Sequence, residues 1–177
     1  VLLEEIELEA AIIEAIADYN TADRHYQDTS HLKQVEVIPD MIRNGYEALK
    51  EYGKPTFPDG KQEKLEFVIK SDKYGWEADA VGYLDFVYPE QGLVIDLKTT
   101  LRMPPSMSWS HSYQWAMYRH AKSNYDVKFC YITNKRIEVM QPTKSVAEML
   151  EEGNEVINKM NNFCFNLTPS QAKQCIP

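Results

Sequence analysis

Cysteine is scarce and unpaired in this chain. There are three, Cys130, Cys164 and Cys175, with no C-x-x-C pair among them. That speaks against a disulfide framework and against a cysteine-ligated zinc or cluster site, and reduced thiols are expected. Long apolar runs are lacking too: none approaches the roughly 20 residues of a membrane span. The first residues are acidic rather than basic, unlike a secretory leader. Internal repeats, low-complexity tracts and linkers are also absent. What remains is 177 residues, 44% hydrophobic and 26% charged. This suits one globular domain with a sizeable core. A cytoplasmic location with no membrane partner is the expectation. Within a single domain 1–177, residues 1–60 read as helical, 61–141 as a sheet core and 142–177 as C-terminal helices.

A net charge of −8 argues against a nucleic-acid partner until its distribution is considered. From Lys98 to Arg136 there are seven basic residues (Lys98, Arg102, Arg119, Lys122, Lys128, Lys135, Arg136) and one acid, Asp126. That band carries +6, which leaves −14 on the rest of the chain. An uneven solvated surface produces such a band, and so does a site for a phosphate backbone.

Periodicity predicts a helix over 2–19, on the stripe Leu2, Ile6, Ala10, Ile13 and Ala17. A polar loop is expected from Asn20 to Lys33, and a second helix from about Pro39-Asp40 to Tyr52, stopped by Gly53 and Pro55. Strands are expected at roughly 63–70, 78–88 and 93–98 as an antiparallel meander. A helix follows over about 108–123, then a strand at Val127–Thr133 and a shorter one at Ile137–Met140. Ser145 with Glu148 is a capping-box signature for a long helix behind it. Thr168-Pro169 reads as the cap and first position of a short last helix. The fold class is therefore mixed α/β: a central mixed sheet, with an antiparallel meander, flanked by helices.

The chain is organised around Gly82-Tyr-Leu-Asp85 and Asp96-Leu-Lys98-Thr-Thr100. These lie on two strands joined by Pro89-Glu-Gln-Gly92. In a regular hairpin closed by that loop, Tyr88 faces Leu93, Asp85 faces Asp96, and Tyr83 faces Lys98. Directly opposed like charges destabilise a sheet. A divalent cation shared by the two carboxylates would relieve the conflict, because hard cations take oxygen ligands. Lys98, two residues from Asp96, projects from the same face. Leu97 turns its side chain to the core, and its carbonyl is a further candidate ligand. Two carboxylates, a metal and a lysine can supply the activated water and charge stabilisation that phosphodiester hydrolysis needs. Asp-x-Lys by itself is an ordinary exposed strand pattern; its register across a hairpin, followed by a basic band, is what makes it specific.

Gly82-x-x-Asp85, Asp96-x-Lys98 and Gln114-x-x-x-Tyr118 together resemble the PD-(D/E)XK nuclease superfamily, nearest its RecB-like, phage-type exonuclease branch. The likeness covers roughly Gln62 to Thr133. It implies a restriction-endonuclease-like core and a Mg²⁺- or Mn²⁺-dependent deoxyribonuclease using one or two ions. Asp85 and Asp96 would be metal ligands and Lys98 the catalytic lysine. Gln114 and Tyr118, at i and i+4 on one helix face, would contact DNA or support the site. Arg102, Thr99 and His111 are further candidates for DNA contact. The iron–sulfur members of the branch use four cysteines, so no cluster is expected here. The branch also draws a metal ligand from an upstream helix. Glu47 is the candidate, although its helical wheel position opposes the apolar face; Glu66, His25 and His31 are weaker alternatives. Trp109, Tyr113, Trp115 and Tyr118 could stack on bases, and at helical spacing they more often fill core. The implied partners are DNA, a second copy of the chain, or a phage recombination protein, with the location that of the bacterial host if phage-encoded. An endonuclease on the same core and a non-catalytic DNA-binding subunit are the alternatives.

Overall fold

The computed structural model describes residues 2, 6–21 and 30–165, side chains at 30–32, 59, 164 and 165 excepted. Two N-terminal helices, α1 (Leu8–Thr21) and α2 (Ser30–Leu49), pack against each other. An exposed Arg43–Glu9 ion pair at 3.0 Å joins them, with a hydrogen bond from the Tyr19 hydroxyl to Gln34. Helix α2 starts nine residues ahead of the expected Pro39 and keeps that proline in its interior. Proline offers a preset first-turn φ, which makes it read as a helix start, and it lacks the N–H of an interior position. Here the apolar stripe of Val35, Ile38, Ile42, Gly45 and Leu49 runs through both sides of it, and packing prevails over local propensity. The expected loop at Asn20–Lys33 thus shrinks: Asn20 and Thr21 finish α1, and Ser30–Lys33 open α2. Residues 22–29, His25 among them, lie outside the described residues, as do the expected helix at Thr168-Pro169 and Cys175.

Strands β1 (Glu63–Ser71) and β2 (Trp76–Leu84) form one antiparallel hairpin. Strands β3 (Phe86–Tyr88), β4 (Leu93–Thr99), β5 (Asp126–Ile132) and β6 (Ile137–Met140) form a second sheet in that order. The β3–β4 and β5–β6 pairs are antiparallel, while β4–β5 is parallel. The parallel pair requires a crossover, which helix α3 (Trp109–Ala121) supplies. The sheet is therefore mixed and helix-flanked. It departs from a continuous meander at one place: the expected strand 78–88 breaks at Asp85 into β2 and β3, which belong to different sheets.

Alternation along β4 and β5 separates two cores. Val94, Val127, Phe129 and Tyr131 face α3 and the β1–β2 hairpin, joined by Leu65, Leu84 and Tyr118. Leu93, Ile95, Cys130 and Ile132 face α2, joined by Leu49 and Tyr88. Phe129 is fully buried at the middle of the sheet, where truncation to alanine costs about 3–5 kcal/mol. Helix α2 comes close on its side: a Cβ on Gly45 would stand 3.1 Å from Ile132 Cδ1. Helix α4 (Val146–Phe165) opens with the expected capping box. Ser145 Oγ accepts from Glu148 N at 3.3 Å, and Glu148 Oε2 accepts from Ser145 N at 2.8 Å. Among the described residues, no helix is long and apolar enough to cross a membrane.

Candidate functional site

The loop between β3 and β4 closes as a 3-10 turn at Pro89–Gln91, with Gly92 at φ 58°. That left-handed conformation favours glycine, and it fixes the register on leaving the turn. Tyr88 pairs with Leu93, Val87 with Val94 and Phe86 with Ile95, as the hairpin reading requires. One step further the ladder ends. Asp85 stands at a bend, and its Oδ2 accepts the Leu97 backbone N–H at 2.9 Å. The carboxylate thus replaces the main-chain partner that a continuing β3 would have supplied. Gln62 Nε2 donates to the other oxygen, Oδ1, at 2.5 Å. Because N–H and C=O of one strand residue share an edge, the Leu97 carbonyl points to the same open side.

Asp96 and Lys98 lie on the α3 face of β4. Asp96 is 2% exposed, and Lys98 Nζ stands 2.5 Å from its Oδ1. The ammonium is what balances this buried oxygen, and a charge pair taken out of water is costly unless further hydrogen bonds complete it. Burial pushes the Asp96 carboxyl up to about 6, the Lys98 ammonium opposing and the Asp85 charge reinforcing the shift. Beneath the lysine, the Phe129 ring centroid is 5.1 Å from Nζ.

Helix α3 delivers the second half of the cluster. It starts at Ser108, whose side chain accepts from His111 N, and it places Gln114 and Tyr118 one turn apart toward β4. Tyr118 OH donates to the Tyr83 carbonyl at 2.9 Å, so it must accept from Gln114 Nε2 at 2.8 Å. That orients the amide nitrogen toward Asp96 Oδ2, at 3.4 Å. The reach to Tyr83 depends on Gly82, where a Cβ would stand 2.8 Å from Tyr118 Cε1. Lys98, Asp96, Gln114 and Tyr118 are therefore one connected network, which Gly82 makes room for and which Asp85 adjoins through the Leu97 backbone. Burial raises the Tyr118 phenol above the usual tyrosine range, so it is neutral at physiological pH.

His111 Nδ1 lies 2.6 Å from Tyr131 OH. Burial, helped by the Lys98 charge, lowers its pKa, which favours a neutral ring. With Lys98, Thr99 and Tyr131 it lines a cavity of about 460 Å³. Arg102 is exposed in the loop beyond. Two residues that sequence reasoning passed over belong here. Gln62 holds Asp85 from a turn with no local signature. Tyr131 stands beside Lys98 in the parallel register, a neighbour that only the pairing of β4 with β5 supplies.

The structure does not bring Glu47 to this cluster. Helix α2 covers the opposite face of the sheet, and the Glu47 carboxylate is exposed and paired with Lys50 at 2.5 Å. Glu66 projects from the solvent face of β1 into an ion pair with Lys64. The His31 side chain is outside the described residues. The aromatic residues of α3 serve mainly in packing. Trp115 donates to the Val127 carbonyl at 2.9 Å. Tyr113 occupies the space over Gly153 of α4, and Trp109 stacks on Tyr113 at 5.4 Å. Cys130 is a buried free thiol.

Among the described residues, no three His, Cys, Asp or Glu side chains converge to hold a metal ion by themselves. Mg²⁺ does not require that, since it is held by one or two carboxylates with substrate phosphates and water completing the shell. The buried Asp96 carboxylate, the Asp85 carboxylate and the Leu97 carbonyl are all hard oxygen donors, the ligand class such an ion takes.

No protein family model matches the chain, and no curated protein matches it. A solved structure described as the crystal structure of SSO0001 is similar at 12% identity with a TM-score of 0.46, over 93% of this chain and 90% of that one. A likeness this distant leaves the chemistry to be argued from the residues themselves.

Proposed function

We propose that this chain is a divalent-metal-dependent DNA nuclease that hydrolyses phosphodiester bonds, with an exonuclease the favoured form. The observation that carries the reading is Asp96: a carboxylate buried against the Lys98 ammonium, beside a second carboxylate, Asp85, where the β3–β4 ladder ends. A fold gains nothing in stability from that arrangement, because removing two charges from water costs more than their mutual attraction usually returns. Asp85, Asp96 and the Leu97 carbonyl would hold Mg²⁺ or Mn²⁺. Bound there, the ion would supply Lewis acidity toward the scissile phosphate and lower the pKa of water.

The chain's own residues account for the rest. Lys98, anchored by Asp96, presents its ammonium to a non-bridging phosphate oxygen, where charge accumulates as the attacking water approaches phosphorus. It also orients that water. The water gives up a proton to solvent as its oxygen bonds phosphorus, the bond from phosphorus to the leaving oxygen breaks, and that oxygen takes a proton from solvent. Gln114 fixes the rotation of Asp96 through Oδ2, and Tyr118 fixes Gln114. Thr99, Arg102 and His111 flank the path of the strand.

The test is incubation of purified protein with labelled linear, closed circular, single- and double-stranded DNA, with Mn²⁺ and with EDTA. Cleavage that starts at ends, requires the metal, and falls at least a hundredfold in Lys98→Ala is expected. Cutting of closed circles would make the enzyme an endonuclease. Wild type and Lys98→Ala equally inert on every substrate would leave a DNA-binding subunit or overturn the reading altogether.

A further inference from the structure

Beyond the reaction centre further cavities adjoin the lysine site around the end of β4. The cavity beside Lys98 shares Thr99 and Thr100 with a second cavity of about 460 Å³ at the α1–α2 edge. That one shares Val37 and Leu101 with a third, of about 690 Å³. The third differs in charge: Lys33, Arg102, Lys135 and Arg136 line it, with Glu36 the single acid. In a chain of net charge −8, four cations around one cleft are a strong local reversal. Lys33, Arg102 and Lys135 make no ion pair among the described residues. Arg136 has one, with Glu138 at 3.5 Å, both side chains well exposed, and such pairs hold weakly.

The turn that carries two of these cations, Lys135 and Arg136, is also braced. Thr133 N and Oγ1 donate to the Arg136 carbonyl, each at 3.0 Å. Its Oγ1 accepts from Lys135 N at 3.1 Å and from Arg136 N at 3.0 Å. Asn44 Nδ2 donates to the Thr133 carbonyl at 2.8 Å, tying the turn to α2. A turn fixed by five hydrogen bonds presents its two basic side chains from a rigid base.

We propose that this cleft is a track for the sugar–phosphate backbone of the strand being cut, gripping phosphates several nucleotides from the scissile bond. The proposal rests on the nuclease reading for its partner, but its content is a binding surface formed by Lys33, Lys135 and Arg136. Separate cations spaced along a groove suit a polyanion, which releases counterions as it binds. The adjoining cavities give that polyanion a direction, from Lys98 around the end of β4 at Thr100 and Leu101 to the β5–β6 turn.

Fluorescence anisotropy of the full chain with an oligothymidine of about 20 nucleotides, in EDTA over a range of salt, tests this. The triple variant Lys33→Ala/Lys135→Ala/Arg136→Ala should bind about tenfold or more weakly, with its logarithmic salt slope lower by about 2, near 0.7 per lost phosphate contact on single strands. A Lys70→Ala/Lys73→Ala variant at the far β1–β2 turn removes charge elsewhere and should leave both quantities unchanged. Equal loss in the two variants, or wild-type affinity and slope in the triple variant, would overturn the track. Circular dichroism of both variants separates unfolding from lost contacts, and Lys135→Gln alone should still lower the slope by about 0.7. A wild type that cuts DNA while the triple variant binds normally refutes the track and keeps the nuclease. A wild type that binds through these residues and never cuts refutes the nuclease and keeps the track.

Discussion

Asp96 sits where stability and chemistry pull in opposite directions. Its carboxyl is pushed up to about 6 by burial, so the folded chain binds that proton more tightly than the unfolded chain does. Its contribution to stability is therefore fullest below the ordinary aspartate pKa, and is lost as pH rises through about 6. Near pH 8 the buried charge is a cost of up to about 3 kcal/mol. Asp96→Asn removes it while keeping the shape, and Lys98, one-fifth exposed, retains water. Thermal unfolding of metal-free protein should show Asp96→Asn more stable than wild type by about 1–3 kcal/mol near pH 8, and closely matched near pH 4. A variant less stable than wild type at pH 8 would mean the Lys98 pair outweighs burial. The same substitution should abolish cleavage. At this scale the sequence was legible in part: residue types and spacing pointed to Asp85, Asp96 and Lys98, and the family resemblance to Gln114 and Tyr118. Gln62 and the Tyr131–His111 contact carried no local signature, because each is made by chain distant in sequence.

At the scale of elements, turn chemistry revealed more than strand propensity. Pro89 through Gly92 set the hairpin register, and the pairing of Phe86–Tyr88 with Leu93–Ile95 follows from it. Strand-favouring residues stand on both sides of Asp85, Val81, Tyr83 and Leu84 before it and Phe86 to Tyr88 after it, with no Pro or Gly at the junction to mark the break. That break arises because a side-chain carboxylate takes the Leu97 N–H, a choice only the assembled site imposes. Pro39 misled for the converse reason, a breaker overruled by packing on both sides. Gly82 is the element-level counterpart of Asp96. It leaves the room in which Tyr118 crosses to the Tyr83 carbonyl, so Gly82→Ala must displace the ring from a packed core. A destabilisation of about 1–3 kcal/mol is expected, measured by denaturant titration, with cleavage falling as Gln114 loses its anchor. Tyr118→Phe separates the two effects: it keeps the ring and its space, and should lower activity with a smaller loss of stability. Unchanged cleavage in both variants would reduce Gln114 and Tyr118 to packing.

On the scale of the molecule, the candidate site is the place where two sheets part. Asp85 belongs to the segment leaving the β1–β2 hairpin, Asp96 to the centre of the four-stranded sheet, and the Leu97 N–H bridges them. An ion shared by both carboxylates would couple hairpin to sheet, so binding must appear as stability of the whole domain. With Mn²⁺ at a hundredfold excess over its dissociation constant, unfolding should cost about 2.7 kcal/mol more. For a chain of this size that raises the thermal midpoint by roughly 5–11 °C. The gain should be uneven. Amide exchange should slow most in β2 and at Leu97, which the ion would bring under one constraint, and least in β6 at the far edge of the sheet. Asp85→Asn should keep its hydrogen bond with Leu97 through the amide oxygen yet lose the Mn²⁺-dependent shift. A midpoint that rises equally in wild type and Asp85→Asn would place the ion elsewhere on this acidic chain.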